Sequence, residues 1–474
     1  LADYSRPILD LFACETGALL ATVDYLIGSR LDSISPIIRK RIQTELTRRI
    51  ITPYLNEHFW WMGHKEEPMN NWTIWCTQNI LFTFFMTEQP TPLRHQAFLK
   101  ANQSIDYFLG EYGIDGCCDE GAQYYRHAGL CLFNAIELLD HITHGFYNHL
   151  YEDKKIKNIC AYIHNVHIDD KFYINFADCA AVPGRSGIRE FLFAKKTKNF
   201  AMMNYVAHDY SQSSDPFMSL EINLFYRLQV LQHYDDITRY AVETPIAPPD
   251  IFYPSVGLWI VRDSIYTLAV KAGDNDDSHN HNDTGSFIIY KNGQPLFIDI
   301  GVESYTAKTF SHHRYDIWTM QSDYHNLPTI NGLMQLAGSN HKATQVEYSL
   351  DKNTPYILMN LATAYPDLEN ISQLMRKVQL YKSKYITIED HLVAYKNAPS
   401  VNIVSNLITY EKPHLHNNVL HIGDLAIVKL KGDVKNVELE TLPINDPRLQ
   451  QSWDHDLYRI RIHYNSPKLL LTIV

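Results

Sequence analysis

The sequence predicts an α+β multidomain protein in which an N-terminal helical toroid is followed by a C-terminal antiparallel β-sandwich. Three observations lead to this prediction. Apolar residues recur about every 3.6 positions up to residue 243, prolines cluster just after it, and apolar and polar residues alternate from residue 258 onward. We therefore expect a helical domain at 1–243, a proline-rich linker at 244–257 and a β domain at 258–474.

The helical prediction rests on a series of amphipathic segments separated by Gly and Pro. Ser33 or Ser35 is placed to cap the second of them, whose first turn holds Pro36. Short connections between successive helices favour a toroid or solenoid over a bundle. The predicted helices are 8–27, 36–51, 72–86, 92–110, 121–142, 146–165, 198–209 and 218–242.

The change to β structure coincides with a proline cluster that no helix can cross, made of Pro245, Pro248, Pro249 and Pro254. Asn292-Gly293 between two apolar runs predicts a type I′ hairpin. Many short strands with few helical stretches are typical of an antiparallel β-sandwich. The predicted strands are 258–262, 266–270, 286–290, 295–300, 376–381, 385–390, 425–430 and 457–464.

Composition and charge exclude several classes of function. The chain has 474 residues, with 42 Lys and Arg against 53 Asp and Glu, so its net charge is −11. This acidic balance disfavours nucleic-acid binding, and it means that a polyanionic substrate must be met by a local basic patch. No apolar run approaches the roughly 20 residues of a membrane span, so we expect no membrane partner. The seven cysteines contain no C-x-x-C pair, which favours buried thiols in a reducing compartment and hence the cytoplasm over export.

The absence of several sequence motifs disfavours further classes of enzyme. The sequence contains no G-x-x-x-x-G-K-[ST], G-x-G-x-x-G, H-E-x-x-H or G-x-S-x-G motif. Nucleotide-dependent chemistry, zincin proteolysis and α/β-hydrolase chemistry are therefore disfavoured. The chain begins at Leu1 rather than Met and shows no signal-peptide pattern, which indicates a processed or trimmed N-terminus.

The densest polar stretch runs from Asp274 to Asp283 and leads into a predicted strand. If its end is extended, the side-chain period of two puts His279, His281 and Asp283 on one face. Imidazole and carboxylate groups at that spacing are usual zinc ligands. Asp299 and His325 are further ligand candidates downstream.

A second group of polar residues lies in the helical half. Asn70-Asn71-Trp72 opens a predicted helix, in which Asn caps the first turn. A loop at 115–121 then brings three carboxylates and two glycines to the start of a helix that carries Tyr124 and His127. Polar and aromatic groups concentrated at such a junction exceed what core packing requires, so they indicate a functional site.

Together these motifs resemble the heparinase II/III family of polysaccharide lyases, which is related to the oligoalginate lyases. The matching segments are His-Asn-His-Asn-Asp-x-Gly-Ser-Phe at 279–287, Phe-Ile-Asp-Ile-Gly at 297–301, Arg-Tyr-Asp-Ile-Trp-Thr at 314–319 and Tyr-His-Asn-Leu-Pro at 324–328, together with Asn-Asn-Trp at 70–72 and Glu-Gly-x-x-Tyr at 120–124. The resemblance implies an incomplete (α/α) toroid followed by an antiparallel β-sandwich, and a bacterial source. Family members usually carry more helices before the segment that matches Leu1, so an N-terminal part is expected to be missing.

The resemblance also implies roles for individual residues. Asn71, Tyr124 and His279 correspond to the catalytic residues, and His281, Asp299 and His325 to a zinc site that is mainly structural. Arg314, Tyr305, Trp75 and Glu120 are expected to bind substrate. Trp72 stands where some members carry a histidine, and Cys117 stands where relatives often carry Gly or Trp.

The chemistry that this resemblance implies is β-elimination from a uronic-acid-containing, glycosaminoglycan-like polysaccharide or oligosaccharide. The C5 proton is weakly acidic beside an ionised carboxylate, so that carboxylate must be neutralised or hydrogen-bonded, and the Asn71 amide can donate such a hydrogen bond. A base then takes the proton and an acid protonates the leaving oxygen. The sequence leaves open which of Tyr124 and His279 is the base, which uronate is cut, and whether the protein forms a homo-oligomer.

Three alternatives use the same residues differently. A glycoside hydrolase on a helical toroid would use a carboxylate pair from Asp115, Asp119 and Glu120. A non-catalytic carbohydrate-binding protein would use tryptophans as sugar-stacking platforms, namely Trp60, Trp61, Trp72 and Trp75. A metal-dependent oxygenase of cupin type would need a redox-active metal, so metal analysis distinguishes it.

Overall fold

The computed structural model describes residues 6–64, 67–219, 221–243, 246–366, 368, 371–395, 401–465 and 467–474. It confirms the predicted α+β class, since helices make up the N-terminal region and antiparallel sheets the C-terminal region. The chain forms two compact units. The helical unit contains residues up to Cys118, Tyr124–Tyr162 and Arg185–Ile246, and the sheet unit contains Asp119–Gln123, Ile163–Gly184 and Ala247–Val474. Asp119–Gln123 and Ile163–Gly184, which the sequence interpretation placed in the helical domain, thus belong to the sheet unit.

The helices follow the predicted periodicity, with some differences. The predicted helix 121–142 is broken between Tyr125 and Gly129, and 146–165 begins with a 3-10 segment at Phe146–Glu152. The helices at Thr52–Asn56 and Ile188–Lys196 were not predicted. In the described residues the α-helices are α1 Leu11–Ile34, α2 Pro36–Leu46, α3 Thr52–Asn56, α4 Asn71–Met86, α5 Thr91–Glu111, α6 Gly121–Tyr125, α7 Gly129–Ile142, α8 Lys154–Asn165, α9 Ile188–Lys196, α10 Phe200–Ser211 and α11 Leu224–Thr238.

Side-chain caps fix the starts of the helices that matter for the site. Asn70 accepts a hydrogen bond from the backbone N–H of Trp72 at 2.9 Å, which confirms the predicted cap of α4. Ser35 precedes Pro36 at the first position of α2, as predicted, although its side chain makes no capping bond. The apolar faces of α1 and α4 then pack into one core with Trp61.

One described helix, α1, is long and apolar enough to cross a membrane, although the sequence showed no unbroken apolar run of that length. Length and composition do not by themselves make it a span, because core helices of soluble proteins and signal sequences meet the same criterion. Cys14, Ala18 and Ala21 on α1 are buried inside the protein.

The sheet unit contains two large antiparallel sheets. The first has the order β11-β12-β13-β14-β21-β18-β17-β16, and the second has the order β19-β20-β15-β8-β7-β5-β4-β3, with β9 also paired to β15. The strands are β1 His167–Asp169, β2 Phe172–Tyr173, β3 Ile251–Tyr253, β4 Leu258–Arg262, β5 Tyr266–Lys271, β6 Asp274–Asn275, β7 Phe287–Lys291, β8 Gln294–Phe297, β9 Pro328–Ile330, β10 Gly338–Lys342, β11 Thr344–Ser349, β12 Tyr356–Asn360, β13 Ile371–Tyr381, β14 Tyr385–Ala394, β15 Ile403–Thr409, β16 Pro413–His416, β17 Val419–Ile422, β18 Ala426–Lys431, β19 Val434–Leu442, β20 Leu457–Tyr464 and β21 Lys468–Ile473.

Side chains from both sheets meet in one hydrophobic core, which is the packing of a sandwich. The predicted hairpin is present, because Asn292 and Gly293 both have positive φ, at 51° and 74°, between β7 and β8. Part of the segment predicted as a linker is instead the strand β3, which pairs with β4. Pro245 of that segment lies outside the described residues.

A buried ion pair connects one sheet to segments that carry candidate site residues. Arg376 on β13 donates to both carboxylate oxygens of Asp390 on β14, each at 2.7 Å. Its remaining nitrogen donates to the carbonyl oxygens of Gly285 at 2.8 Å and Asn326 at 2.7 Å. Since Asn326 follows His325 in the chain, this arginine helps to fix the position of that histidine.

Candidate active site and metal site

The polar stretch at 274–283 is held by a buried lysine. Lys271, at the end of β5, lies 2.7 Å from a carboxylate oxygen of Asp283 and 3.1 Å from one of Asp277. The segment between Asp277 and Asp283 is a turn rather than a strand, and His279 in this turn has a positive φ of 59°. The expectation that His279, His281 and Asp283 share one face is therefore wrong, because Asp283 points to Lys271 instead.

A carboxylate that sequence reasoning missed organises the two histidines. Asp178 has a fully buried side chain, and four donors converge on it. Its Oδ2 accepts from His279 Nδ1 at 2.8 Å and from the Tyr305 hydroxyl at 2.9 Å. Its Oδ1 accepts from His281 Nε2 at 3.1 Å and from Arg314 Nη2 at 2.7 Å. Burial alone would raise the pKa of Asp178, but these partners outweigh burial and hold the pKa well below its usual value.

His279 lies between two carboxylates. While its Nδ1 contacts Asp178, its Nε2 is 3.3 Å from Oε2 of Glu120, and the Glu120 side chain is almost fully buried. Burial alone would lower the pKa of His279, but the hydrogen bonds and charges of Asp178 and Glu120 outweigh burial and raise it to about 9. The site therefore favours the charged imidazolium form of this histidine.

Arg314 is engaged inside the protein rather than free to clamp a ligand. Its Nε donates to the carbonyl oxygen of Asn280 at 3.0 Å, its Nη1 to that of Thr309 at 3.3 Å, and its Nη2 to Asp178. A second arginine, Arg448, lies with its guanidinium 4.4 Å from the centre of the Tyr305 ring. One of its N–H groups donates to the backbone oxygen of Asp178 at 3.1 Å. Sequence reasoning missed Arg448, which lies in a loop without a recognisable motif.

Three further residues form a buried cluster suited to a metal ion. His281, Asp299 and His325 each offer one ligand atom, and these atoms lie within 4.8 Å of one another. Among the described residues, His281 Nδ1 and His325 Nε2 have no hydrogen-bond partner, and His325 Nδ1 lies 2.9 Å from Oδ2 of Asp299. Unsatisfied buried polar atoms are costly, and two imidazoles with a carboxylate are a usual zinc ligand set, so these residues fit zinc.

The helical unit carries the other residues that the resemblance singled out. Asn71, the first residue of α4, is buried, and Trp75 follows one turn later on the same helix. The ring of Trp75 stacks on His127 with centroids 3.9 Å apart, and the ring of Tyr124 lies 6.3 Å from His127. Burial, together with the charges of Arg189 and Arg126, lowers the pKa of His127 to about 3.

The structure thus groups Glu120, His279, Tyr305 and Arg314 in one cluster, and His281, Asp299 and His325 in another beside it. Asn71, Tyr124 and Trp75 belong to the helical unit, so the meeting of Tyr124 with His279 across one groove stays a prediction.

The structure also bears on residues that the hydrolase and carbohydrate-binding alternatives would use. Trp61 is buried in the helical core, with 1% of its surface exposed, so it does not serve as a sugar platform. Burial and the neighbouring charge of Glu120 raise the pKa of Asp119 to about 7. Glu120 itself is the carboxylate that faces His279.

Comparison with known proteins gives one family match and several matches of fold. A family model described as heparinase II/III-like, C-terminal, matches residues 245–461. Among solved structures, a mutant heparan sulfate lyase from Pedobacter heparinus matches with 14% identity and a TM-score of 0.59, over 93% of this chain and 64% of that chain. A heparinase III structure matches with 15% identity and a TM-score of 0.67, over 100% of this chain and 71% of that one.

A mutant chondroitin AC lyase from Streptomyces coelicolor matches with 9% identity and a TM-score of 0.51, over 99% of this chain and 68% of that one. A comparison with curated protein sequences finds no match. At these identities the solved structures show a common fold, and the chain spans 64% of the length of the first of them.

Proposed function

Because residues 245–461 match the family model described as heparinase II/III-like, C-terminal, we propose that this chain is a polysaccharide lyase that cleaves a uronic-acid-containing, glycosaminoglycan-like substrate by β-elimination. The observation that carries the proposal is His279, an imidazole held between Asp178 and Glu120 in a cluster with Tyr305 and two arginines. Such a cluster of fixed donors suits a reaction in which negative charge develops beside a carboxylate.

The proposed division of labour begins with the substrate carboxylate. The Asn71 amide would donate a hydrogen bond to that carboxylate, and this disperses the charge that builds up as the C5 proton leaves. Tyr124 and His279 would then exchange protons with C5 and with the departing C4 oxygen, one as base and the other as acid. Glu120, which contacts His279, precedes Tyr124 by only four residues in the chain.

The substrate's negative charge needs a cation, and Arg448, beside Tyr305, is an arginine whose charge is not paired with a carboxylate among the described residues. Arg314 uses three of its five N–H groups on Asp178, Asn280 and Thr309, and its charge is paired with Asp178. Within the described residues, the Arg448 guanidinium makes one hydrogen bond, to a backbone oxygen, and lies over the Tyr305 ring. We therefore assign Arg448 to the binding of a substrate carboxylate or sulfate.

Replacing Arg448 by Gln should raise KM for heparan sulfate about tenfold and change kcat less than about threefold, because a charged hydrogen bond to bound substrate is lost. Initial rates at constant ionic strength measure both constants. Arg461→Gln, which removes another arginine of the same unit, is the control and should leave KM unchanged. A fall in kcat at unchanged KM would contradict the assignment.

We also propose that His281, Asp299 and His325 hold a zinc ion with a mainly structural role. The bound ion would tie the turn that carries His279 to the segment after β8. The purified protein should contain an equimolar amount of zinc by elemental analysis. After dialysis, His325→Ala should retain less than about a tenth of the wild-type zinc content, and it should melt at a lower temperature. The control His414→Ala, which replaces an exposed histidine, should match the wild type in both measurements. Stoichiometric iron or copper instead would favour the oxygenase alternative.

The experiment that tests the function is a screen of glycosaminoglycans, alginate and their oligosaccharides for ultraviolet absorbance, since β-elimination leaves a conjugated double bond. Absorbance that rises with at least one uronate substrate is expected. Chain cleavage without absorbance would favour the hydrolase alternative, and binding without cleavage would favour the carbohydrate-binding alternative. A cytoplasmic location and a homo-oligomeric state remain predictions from the sequence.

A further inference from the structure

Asp178 sits between the two clusters and touches both. Each carboxylate oxygen accepts hydrogen bonds from a different pair of residues. Oδ2 accepts from His279 and Tyr305, and Oδ1 accepts from the zinc-ligand candidate His281 and from Arg314. The side chain is fully buried, so solvent does not compete for these bonds. A single carboxylate therefore fixes two imidazole rings whose backbone positions are two residues apart.

We propose that Asp178 is a positioning residue that orients the catalytic imidazole of His279 and the metal-ligating imidazole of His281 at the same time, and so couples metal binding to catalysis. The catalytic half of this inference, the orientation of His279, rests on the proposed function. Its metal half, the orientation of His281, does not depend on that function.

The orientation of His281 follows from hydrogen-bond chemistry. An ionised carboxylate only accepts, so the His281 nitrogen that faces it, Nε2, must carry the hydrogen. The other nitrogen, Nδ1, then presents its lone pair, and Nδ1 is the atom that lacks a hydrogen-bond partner among the described residues. Carboxylates that bind a ligating histidine in this way fix its tautomer and strengthen its metal binding.

The same argument orients His279. Its Nδ1 donates to Asp178, so Nε2, which lies 3.3 Å from Glu120, is the nitrogen that we assign to proton exchange with a substrate. The left-handed backbone at His279, with φ of 59°, is a conformation that non-glycine residues adopt at a cost. The Asp178 hydrogen bond helps to hold the ring in place on that strained turn.

Two substitutions separate the two halves of the proposal. In Asp178→Asn, the amide oxygen can still accept from Arg314 and His281, while the amide NH2 faces His279 and forces its Nδ1 to become an acceptor. We expect kcat for heparan sulfate to fall about 10²-fold or more with KM within about threefold, and zinc affinity to fall no more than about tenfold. In Asp178→Ala, both kcat and zinc affinity should fall, with zinc affinity reduced about 10–100-fold.

The matched control is Asp250→Asn, which weakens the ion pair between Asp250 and Lys382 in the same unit, and neither of these residues belongs to the two clusters. It should lower the melting temperature but leave kcat and zinc affinity unchanged. Zinc affinity is measured on metal-free protein by competition with a chromophoric chelator, a readout that needs no substrate. Circular dichroism verifies that each variant is folded.

The outcomes separate this inference from the proposed function. If the wild type cleaves no uronate polymer, the proposed function fails, and the chelator titration alone still decides whether Asp178 orients His281. Unchanged zinc affinity in Asp178→Ala, or a wild type without zinc affinity, overturns the metal half. Unimpaired kcat in Asp178→Asn overturns the catalytic half, and effects limited to melting temperature, as in the control, overturn both.

Discussion

Replacing Tyr124 by Phe should lower kcat on a glycosaminoglycan substrate by about 10³-fold, because the phenolic hydroxyl is proposed to exchange a proton with the reacting sugar and no other group replaces it. KM should change little, since the ring remains. The rate of ultraviolet absorbance increase under saturating substrate measures the effect directly.

The neighbouring Tyr125 provides a matched control on the same helix. Its ring is fully buried and its hydroxyl makes only a long contact, 3.4 Å, to the carbonyl oxygen of Cys160. Tyr125→Phe should therefore stay within about threefold of the wild-type kcat. Equal losses in the two variants, or full activity of Tyr124→Phe, would remove Tyr124 from the mechanism and favour hydrolysis by carboxylates.

Replacing His279 by Gln should also lower kcat by about 10³-fold, since the imidazole is the second proposed proton-exchanging group. Gln is chosen because its side chain can still donate to Asp178, which preserves the packing around that carboxylate. The measurement is kcat on heparan sulfate, with circular dichroism and zinc content determined on the same preparation.

His414→Gln is the control, because His414 is exposed on β16 and makes no contact with the clusters. We expect it to match the wild type in kcat and zinc content. If His279→Gln loses zinc along with activity, the loss belongs to the metal site and the catalytic role of His279 is not supported. If it keeps wild-type kcat, His279 takes no part in the reaction.

Much of the fold could be predicted because it depends on local patterns. Apolar periodicity located α4, α5 and eight of the 21 described strands, among them β4 and β20, and Asn292-Gly293 specified its hairpin. The helix α9 was missed because it has only nine residues and follows a Pro- and Gly-containing loop. The helix predicted at 121–142 breaks because the chain leaves α6 after Tyr125, which the sequence pattern does not show.

Only those residues of the candidate site that lie within a recognisable sequence motif could be predicted. His281, Asp299 and His325 lie in matching family segments, and the structure brings them together. Asp178 could not be found this way, because it lies in an irregular loop and meets His279 across 101 positions of sequence. Asp283 was misplaced because a period of two applies only to extended backbone, and the buried charge of Lys271 attracts this carboxylate instead.

The most direct test of the central claim is the mass of the products from one defined glycosaminoglycan oligosaccharide that the protein cleaves. Elimination breaks the bond without adding water, so we predict that the masses of the two product chains sum to the mass of the substrate and that one chain carries an unsaturated uronate. Product masses that sum to the substrate plus one water molecule would show hydrolysis and would contradict the assignment of this chain as a lyase.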